Sequence, residues 1–233
     1  MVDDIVPKLL DDLKKDFSSK YKANKKIPKL LETKNHANAY LYAQEVGDIL
    51  AEVFDSKLSA SILPEGKMFF NIGERILNET LGNNHNLVTD YAVELQTALN
   101  KEAGIGLKPK KNKINQDKVD GLVNRLSSED NFDEVKWILK DPVANFSRSV
   151  MDDFVMTNAD FHAKAGLKPK LTRYVIGKCC KWCEEIAGTY DYPVDRIIYA
   201  RHENCDCVVE YHPKDGRGIQ NSHTKGWRYE WIK

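Results

Sequence analysis

Apolar residues recur every three or four positions through the first two thirds of this chain, a spacing that puts them on one face of an α-helix. The clearest stripe follows Asn35, whose side-chain amide can cap a helix N-terminus. No segment before residue 170 alternates in the manner of a strand. About seven helices are therefore predicted, with apolar stripes over residues 6–17, 42–54, 69–81, 87–99, 119–126, 132–139 and 143–155.

Turn-forming and charged residues predict where these helices begin and end. Gly82 and Gly104 are placed to close the third and fourth helices, because glycine readily adopts the left-handed conformation that follows a helix. Asp141 and Pro142 are expected to be the N-cap and the first residue of the seventh helix. The basic stretch over residues 20–34 is predicted to be a solvated linker.

The pattern changes after Pro169. Residues 172–187 are predicted to form a short helix that carries the first three cysteines. The runs 196–200 and 207–211 are rich in β-branched and aromatic residues, which indicates short strands. The end of the sequence is therefore expected to combine a helix with strands.

A further strand is predicted where Trp227, Tyr229 and Trp231 alternate with polar residues, because period-two spacing gives one aromatic face. Such a face is usually core, and if exposed it would anchor a protein partner. We expect an α+β protein with a mainly helical region over residues 1–168 and a small C-terminal α+β module over residues 169–233.

Charge and composition narrow the class of protein. The 233 residues include 35 Lys and Arg and 35 Asp and Glu, so no net field directs the chain to nucleic acid or to an anionic membrane. No apolar run is long enough to span a membrane, and the acidic residues 1–4 lack the order of a signal peptide. These features predict synthesis in a cytoplasm, where thiols stay reduced or bind a metal.

All five cysteines of the chain lie in under thirty residues. Cys180 and Cys183 form a C-x-x-C motif, and Cys205 and Cys207 form a C-x-C motif. Four thiolates at this separation are a candidate tetrahedral zinc site, with His202 as a further candidate ligand.

Two features favour packing over metal. Cys180 and Cys183 are predicted to sit on a regular helix, and Cys207 is predicted to begin a strand, where consecutive ligands need a bend. Cys179 and Cys183 would then be neighbours on one helical face, where buried thiols pack as small apolar groups. Cys205 or Cys207 could meet that face from the strand, and in oxidising surroundings such a pair could form a disulfide. Packing, a disulfide and structural zinc therefore stay open, with packing favoured.

The same segment also offers residues for catalysis. A zinc deaminase requires H-x-E followed by P-C-x-x-C, an order that this sequence does not have. A metal-independent nuclease could use Arg201, His202, His212 and His223 as acid, base and phosphate clamp. A single activated thiol with His202 as its base is less well supported, because five clustered cysteines favour a structural use.

Residues 201–207 read R-H-E-N-C-D-C, which resembles the closing H-P-N-C-R-C signature of phage head morphogenesis proteins, the Mu F-like minor head family. Residues 180–188 read C-K-W-C-E-E-I-A-G and are similar to the earlier cysteine segment of that family. The resemblance covers roughly residues 173–212. It departs at Glu203, where the family has proline, and at Asp206, where the family has arginine.

The resemblance implies a minor structural protein of a tailed-phage head, which binds the portal protein and the major capsid protein and assists head morphogenesis or DNA delivery. It implies a place in the virion, in the head interior or at the portal vertex, after assembly in the host cytoplasm. The lysine-rich residues 108–113 allow a local contact with packaged DNA. We therefore expect binding rather than catalysis, with the nuclease as the alternative and no cofactor other than structural zinc.

Overall fold

The computed structural model describes residues 4–177, 180–202 and 205–213. Helices form most of the chain up to residue 164 and a three-stranded sheet follows, which confirms the expected α+β class. Within the described ranges, no helix is both long enough and apolar enough to cross a membrane. Short 3-10 turns occupy Ala60–Ile62, Pro64–Gly66, Lys136–Leu139 and Arg196–Tyr199. The other elements are α1 (Val6–Ala23), α2 (Lys26–Glu32), α3 (His36–Lys57), α4 (Phe70–Glu102), α5 (Gln116–Leu126), α6 (Phe132–Val135), α7 (Asp141–Lys164), β1 (Lys170–Val175), α8 (Lys181–Glu185), β2 (Gly188–Asp191) and β3 (Cys207–His212).

The centre of the helical region is the contact between α3 and α7, which approach closely at Gly47. A Cβ atom at Gly47 would lie 2.7 Å from the Cα atom of Ala144 and 3.1 Å from the Cβ atom of Ser147. The side-chain amide of Asn84 on α4 donates to the Ser147 hydroxyl at 3.1 Å and to the Val46 carbonyl at 3.4 Å. These contacts fix three helices against one another.

Helix α4 is continuous, so the predicted helix end at Gly82 is wrong. The buried face continues on both sides of the glycine, since Leu81 before it and Val88 after it each have 0 % of their surface exposed. An interior glycine costs only about 1 kcal/mol relative to alanine, and this burial offsets that cost. The predicted end at Gly104 is confirmed, since the helix stops two residues earlier and Gly104 has a left-handed φ of 69°.

Side-chain caps explain why α2 and α3 form. Asn35 caps α3 as predicted, because its side-chain oxygen accepts the Asn38 N–H at 2.7 Å. The stretch 20–34 is not the predicted linker but contains the end of α1 and the whole of α2. Lys25 occupies the cap position of α2, and the side-chain oxygen of Asn24, one residue earlier, accepts the Ile27 N–H at 3.1 Å. Ile27 is buried against the core.

The start of α7 differs by one residue from the prediction. Asp141 and Pro142 are the first two helical residues, whereas Lys140 occupies the cap position without a side-chain hydrogen bond. A carboxylate in the first turn still complements the positive end of the helix dipole. The residue types therefore indicate the helix start but not its exact position.

The sheet has the order β2-β1-β3, and both pairings are antiparallel. Strand β3 confirms the prediction over residues 207–211. Its residues Val208, Val209 and Tyr211 are buried in the same core as the helices. The sheet therefore packs directly on the helical region, with contacts from β3 to α3 and α7.

Two predictions for the C-terminal module are wrong. Of the helix predicted over residues 172–187, the described residues form the end of β1, up to Val175, and the five-residue helix α8, Lys181–Glu185. The run 196–200 forms a 3-10 turn rather than a strand, because the Asp195 carboxylate accepts the Ile197 N–H at 2.9 Å and caps the turn. The aromatic strand predicted over residues 227–231 lies outside the described residues.

Candidate metal centre

Five side chains from two short segments meet where β3 begins. The Sγ atoms of Cys180 and Cys183 and a ring nitrogen of His202 lie within 4.8 Å of one another. The Sγ atoms of Cys183, Cys205 and Cys207 form a second group within the same distance. Cys183 belongs to both groups, and the cluster could bind a metal ion.

The first segment does not have the regular helix that the sequence predicted for it. Cys180 has extended backbone angles, φ −105° and ψ 162°, and precedes α8. Cys183 lies within α8, and Cys179 lies outside the described residues. The change of backbone direction brings the thiols of Cys180 and Cys183 to the same imidazole, that of His202. The objection to a metal that rested on a regular helix is therefore wrong.

The second segment places two thiols on one side of the chain. Cys207 is the first residue of β3, as predicted, and Cys205 precedes it by two positions. The Ile176 N–H donates to the Asp206 carbonyl at 3.1 Å and extends the pairing with β1 beyond the strand. Because alternate residues of extended chain share a face, Cys205 and Cys207 are both buried, at 1 % and 2 % exposure.

The distances fit a metal centre better than a disulfide. The His202 Nε2 atom is 3.0 Å from the Cys183 Sγ atom and 3.3 Å from the Cys180 Sγ atom, and the Sγ atoms of Cys183 and Cys205 are 3.9 Å apart. A disulfide needs about 2.05 Å between its sulfur atoms. Tetrahedral zinc, with bonds of about 2.3 Å to sulfur and about 2.0–2.1 Å to nitrogen, places neighbouring ligands roughly 3.5–3.8 Å apart.

Neighbouring groups shift the pKa values of the thiols in opposite directions. The hydrogen bond with Cys207, aided by the guanidinium groups of Arg201 and Arg173, lowers the pKa of Cys205 to about 4. The same hydrogen bond raises the pKa of Cys207, and burial raises the pKa of Cys183. These neighbours favour the thiolate form of Cys205, and the thiolate is the form that binds a metal.

Two ion pairs of opposite polarity hold the ligand loop, the described residues 201–202 and 205–207, on helix α7. Arg148 of α7 pairs with Asp206 of the loop at 2.7 Å. One turn further along α7, Asp152 accepts hydrogen bonds from two nitrogens of Arg201. Because residues four apart lie on the same helix face, Arg148 and Asp152 together fix both ends of the loop.

Sequence reasoning missed the roles of Arg148 and Asp152. Both lie among buried apolar residues of α7, at 9 % and 2 % exposure. At about 3.6 residues per turn both lie away from the apolar stripe of Val143 and Val150, so the stripe predicts them to be exposed and gives no sign of a buried charge. The partners, in residues 201–207, lie 49 and 58 positions further along the chain, and periodicity does not identify them.

A third arginine lies behind the cluster. Arg173 of β1 is 1 % exposed, donates to the Ile198 carbonyl at 2.6 Å and places its Nη2 atom 3.8 Å from the Cys205 Sγ atom. The Trp182 ring lies 5.6 Å from the Arg173 guanidinium carbon and 5.7 Å from the His202 ring, which it meets edge-on. An indole thus contacts both the imidazole and the arginine.

The structure does not bring the candidate nuclease residues together. Arg201 is engaged with Asp152, and His202 contacts two thiols. His212 is the last residue of β3 and lines a cavity that neither Arg201 nor His202 lines. His223 lies outside the described residues. Among the described residues, Arg201 and His202 line one cavity and His212 lines another, so the three side chains do not share a cleft.

Comparisons of the chain with protein families, with curated proteins and with solved structures find no match. The fold and site define an α+β protein with a largely buried Cys/His cluster where its sheet meets its helices.

Proposed function

We propose that this chain is a minor structural protein of a tailed-phage head, of the Mu F-like kind, which binds the portal and major capsid proteins during head assembly or DNA delivery. The observation that supports the proposal is that its two signature segments converge. Residues 180–183 and 201–207 are separated by residues 184–200, yet the His202 Nε2 atom lies 3.0 Å from the Cys183 Sγ atom. The two signature segments are expected to lie together in one module if both of them maintain the same fold.

A binding role is further supported by apolar surface beside the cluster. Trp137 is 56 % exposed at a cavity of about 620 Å³ that Pro142, Phe146 and His202 also line. Tryptophan is a frequent anchor residue at protein interfaces. We propose that the portal or capsid protein contacts the molecule here, in the head interior or at the portal vertex, after assembly in the host cytoplasm.

We propose that the Cys/His cluster binds a zinc ion and that this ion has a structural role. Thiolate and imidazole ligands around a tetrahedral site suit zinc. Cys183, Cys205 and Cys207 are at most 2 % exposed, so the second group of thiols is closed to a substrate. When bound, zinc would fasten α8 to the start of β3.

The lysine-rich loop of residues 108–113 is the proposed contact with packaged DNA. The Lys111 ammonium pairs with Asp90, and the Lys110 ammonium lies 4.1 Å from the centre of the Phe161 ring. A filter-binding assay is expected to show DNA retention at low salt that higher salt abolishes, because phosphate contacts release counterions. Lack of retention at low salt would contradict this contact.

The test of the head-protein proposal is quantitative mass spectrometry on purified particles from the source phage or an induced prophage. The count of this chain is compared with the counts of the portal and major capsid proteins, in assembly intermediates and mature heads. A few copies per head are expected. Absence from particles at every stage of assembly would overturn the proposal.

A matched pair of variants tests the docking surface. Trp137→Ala is expected to reduce incorporation into heads, because it removes the anchor from the cavity. Phe70→Ala is the control, since Phe70 is 48 % exposed and does not line that cavity. Equal incorporation of the two folded variants would place the contact elsewhere on the molecule.

A further inference from the structure

Arg173 carries a buried positive charge that has no carboxylate partner among the described residues. Its side chain is 1 % exposed, and its Nε atom is buried without a hydrogen bond. Arg148 and Arg201 each pair with an aspartate, whereas no ion pair joins Arg173 to a carboxylate among the described residues. Burying an unpaired charge costs several kcal/mol, on the order of the values for broken buried pairs. The Cys205 sulfur, 3.8 Å away, is a group that supplies negative charge when ionised.

We propose that the counter-charge of Arg173 is a zinc centre of three thiolates and one imidazole, with Cys180, Cys183, Cys205 and His202 as ligands. Zinc with three thiolates and a neutral imidazole has a single net negative charge, which one guanidinium neutralises. A zinc centre with four thiolates has two net negative charges, and one of these charges would be buried without a counter-charge. This inference rests on the zinc ion proposed above and does not depend on the role in a phage head.

The geometry favours His202 over Cys207 as a ligand. The His202 Nε2 atom lies 3.0 and 3.3 Å from the two thiols of the C-x-x-C motif, Cys183 and Cys180. An ion held by these two thiols is therefore adjacent to the imidazole. Cys205 and Cys207 are both within 4.8 Å of the Cys183 thiol, but neither is in the group that contains Cys180, whereas His202 is.

The fourth ligand is assigned to Cys205 for two reasons. Its Sγ atom lies 3.9 Å from the Cys183 Sγ atom, close to the separation of two sulfur ligands of one tetrahedral zinc ion. The Arg173 Nη2 atom faces this sulfur, as a hydrogen-bond donor to a ligating thiolate would. Cys207 then remains a neutral thiol, buried beside the ligands and outside the ligand set.

The first test is zinc X-ray absorption spectroscopy and metal analysis on the full chain, loaded with zinc under reducing conditions. We expect one zinc per chain, with three sulfur and one nitrogen neighbours. Cys207→Ser is expected to keep this zinc, whereas Cys205→Ser and His202→Ala are expected to lose it. A shell of four sulfurs, loss of zinc in Cys207→Ser, or no binding to the unmodified chain would each overturn the assignment.

The second test addresses Arg173. Competition with a chelator is expected to show that Arg173→Met weakens zinc binding by about 10–100-fold, the usual effect of removing an outer-shell partner, while Arg173→Lys keeps part of the affinity. Circular dichroism checks that each variant is folded. If Arg173→Met does not fold, the zinc affinity of Arg173→Lys and the number of sulfur neighbours in the first test decide the proposal. Unchanged affinity in a folded Arg173→Met would overturn the charge argument. The head-protein proposal is tested separately, by the number of copies of this chain per particle, and that measurement does not depend on zinc.

Discussion

Asp152 of helix α7 and Arg201 of the ligand loop form a bidentate ion pair whose side chains are only 3 % and 6 % exposed. The Tyr40 hydroxyl of α3 donates to the same carboxylate at 2.7 Å, and the Tyr40 ring lies 4.8 Å from the guanidinium carbon. One buried charge thus connects both central helices to the segment that carries the cluster. The position of the candidate ligands depends on the interior of the helical region.

Replacing Asp152 with asparagine removes one partner of this pair and leaves a buried guanidinium without its counter-charge. We expect Asp152→Asn to lower the free energy of unfolding by about 3–5 kcal/mol, since breaking a buried pair is far costlier than breaking an exposed one. Asp11→Asn is the control, because Asp11 pairs with Lys15 on the surface of α1 and should have almost no effect. Urea denaturation measures both, and equal effects would mean that the buried pair is not important for stability.

Two glycines in long helices should respond oppositely to alanine. Gly47→Ala is expected to lower the free energy of unfolding by about 1–3 kcal/mol, the usual cost of overpacking, because its new methyl group would meet the Ala144 backbone at 2.7 Å. Gly82→Ala is expected to raise it by up to about 1 kcal/mol, because a Cβ atom there has no neighbour within 4 Å. Thermal denaturation distinguishes the two, and stabilisation by Gly47→Ala would contradict the close approach of α3 and α7.

Two buried histidines predict a loss of stability in mild acid. Burial lowers the pKa of His162 to about 4, and burial together with the nearby His212 lowers the pKa of His36 to about 3. An unfolded histidine titrates near pH 6.5, so the unfolded chain binds protons that the folded chain does not. The stabilisation is fully present above about pH 6.5 and is lost as the pH falls towards about 4.

Urea denaturation at pH 7.5, 6.0 and 5.0 measures this dependence before most carboxylates titrate. We expect the free energy of unfolding to fall steadily across the three values. His162→Gln, provided that it folds, should weaken the dependence because it removes one of the two groups. A free energy that does not change between pH 7.5 and 5.0 would show that neither histidine is held neutral in the folded protein.

The thiols of the cluster should differ in their reaction with iodoacetamide. Cys180 is exposed and its pKa is lowered, mainly by the backbone N–H of Cys183, whereas Cys183, Cys205 and Cys207 are buried. In chelator-treated protein we expect Cys180 to be alkylated faster than these three. Zinc should protect Cys180, which tandem mass spectrometry can localise. Equal reaction of all four thiols would contradict the burial of the second group.

The helices were largely predictable because their apolar residues follow one period over many turns. The errors lie where a local signal competes with packing: Gly82 is typical of a helix end, yet the continuing buried face holds α4 together. The segment 172–187 has too few apolar repeats to separate a strand from a helix. Residues 172–175 of this segment belong to β1 because they pair with β3, more than thirty positions further along the chain.

The chemistry of the site was predictable in residue type but not in arrangement. Cysteine and histidine spacing identifies the candidate ligands, and the structure adds that Cys180 precedes α8, which removes an objection to metal binding. Arg173 carries no such signal, because an arginine in an alternating strand is usually exposed. Arg173 lies two positions after buried Leu171 in β1 and therefore on the same buried face, a relationship hidden from the sequence because a helix was predicted there.

The 49 positions between Asp152 and Arg201 also bear on the order of folding. Helix α7 leaves the ribosome before its charge partner has been made, so the nascent helical region holds a carboxylate that its own interior cannot neutralise. Chains fold from the N-terminus as they emerge, and the last folding step is therefore expected to be the closure of residues 201–207 over α7. A chain shortened to residues 1–168 should be cleaved by trypsin faster than the full chain at the sites they share, whereas equal rates would mean that the helices are complete before the sheet arrives.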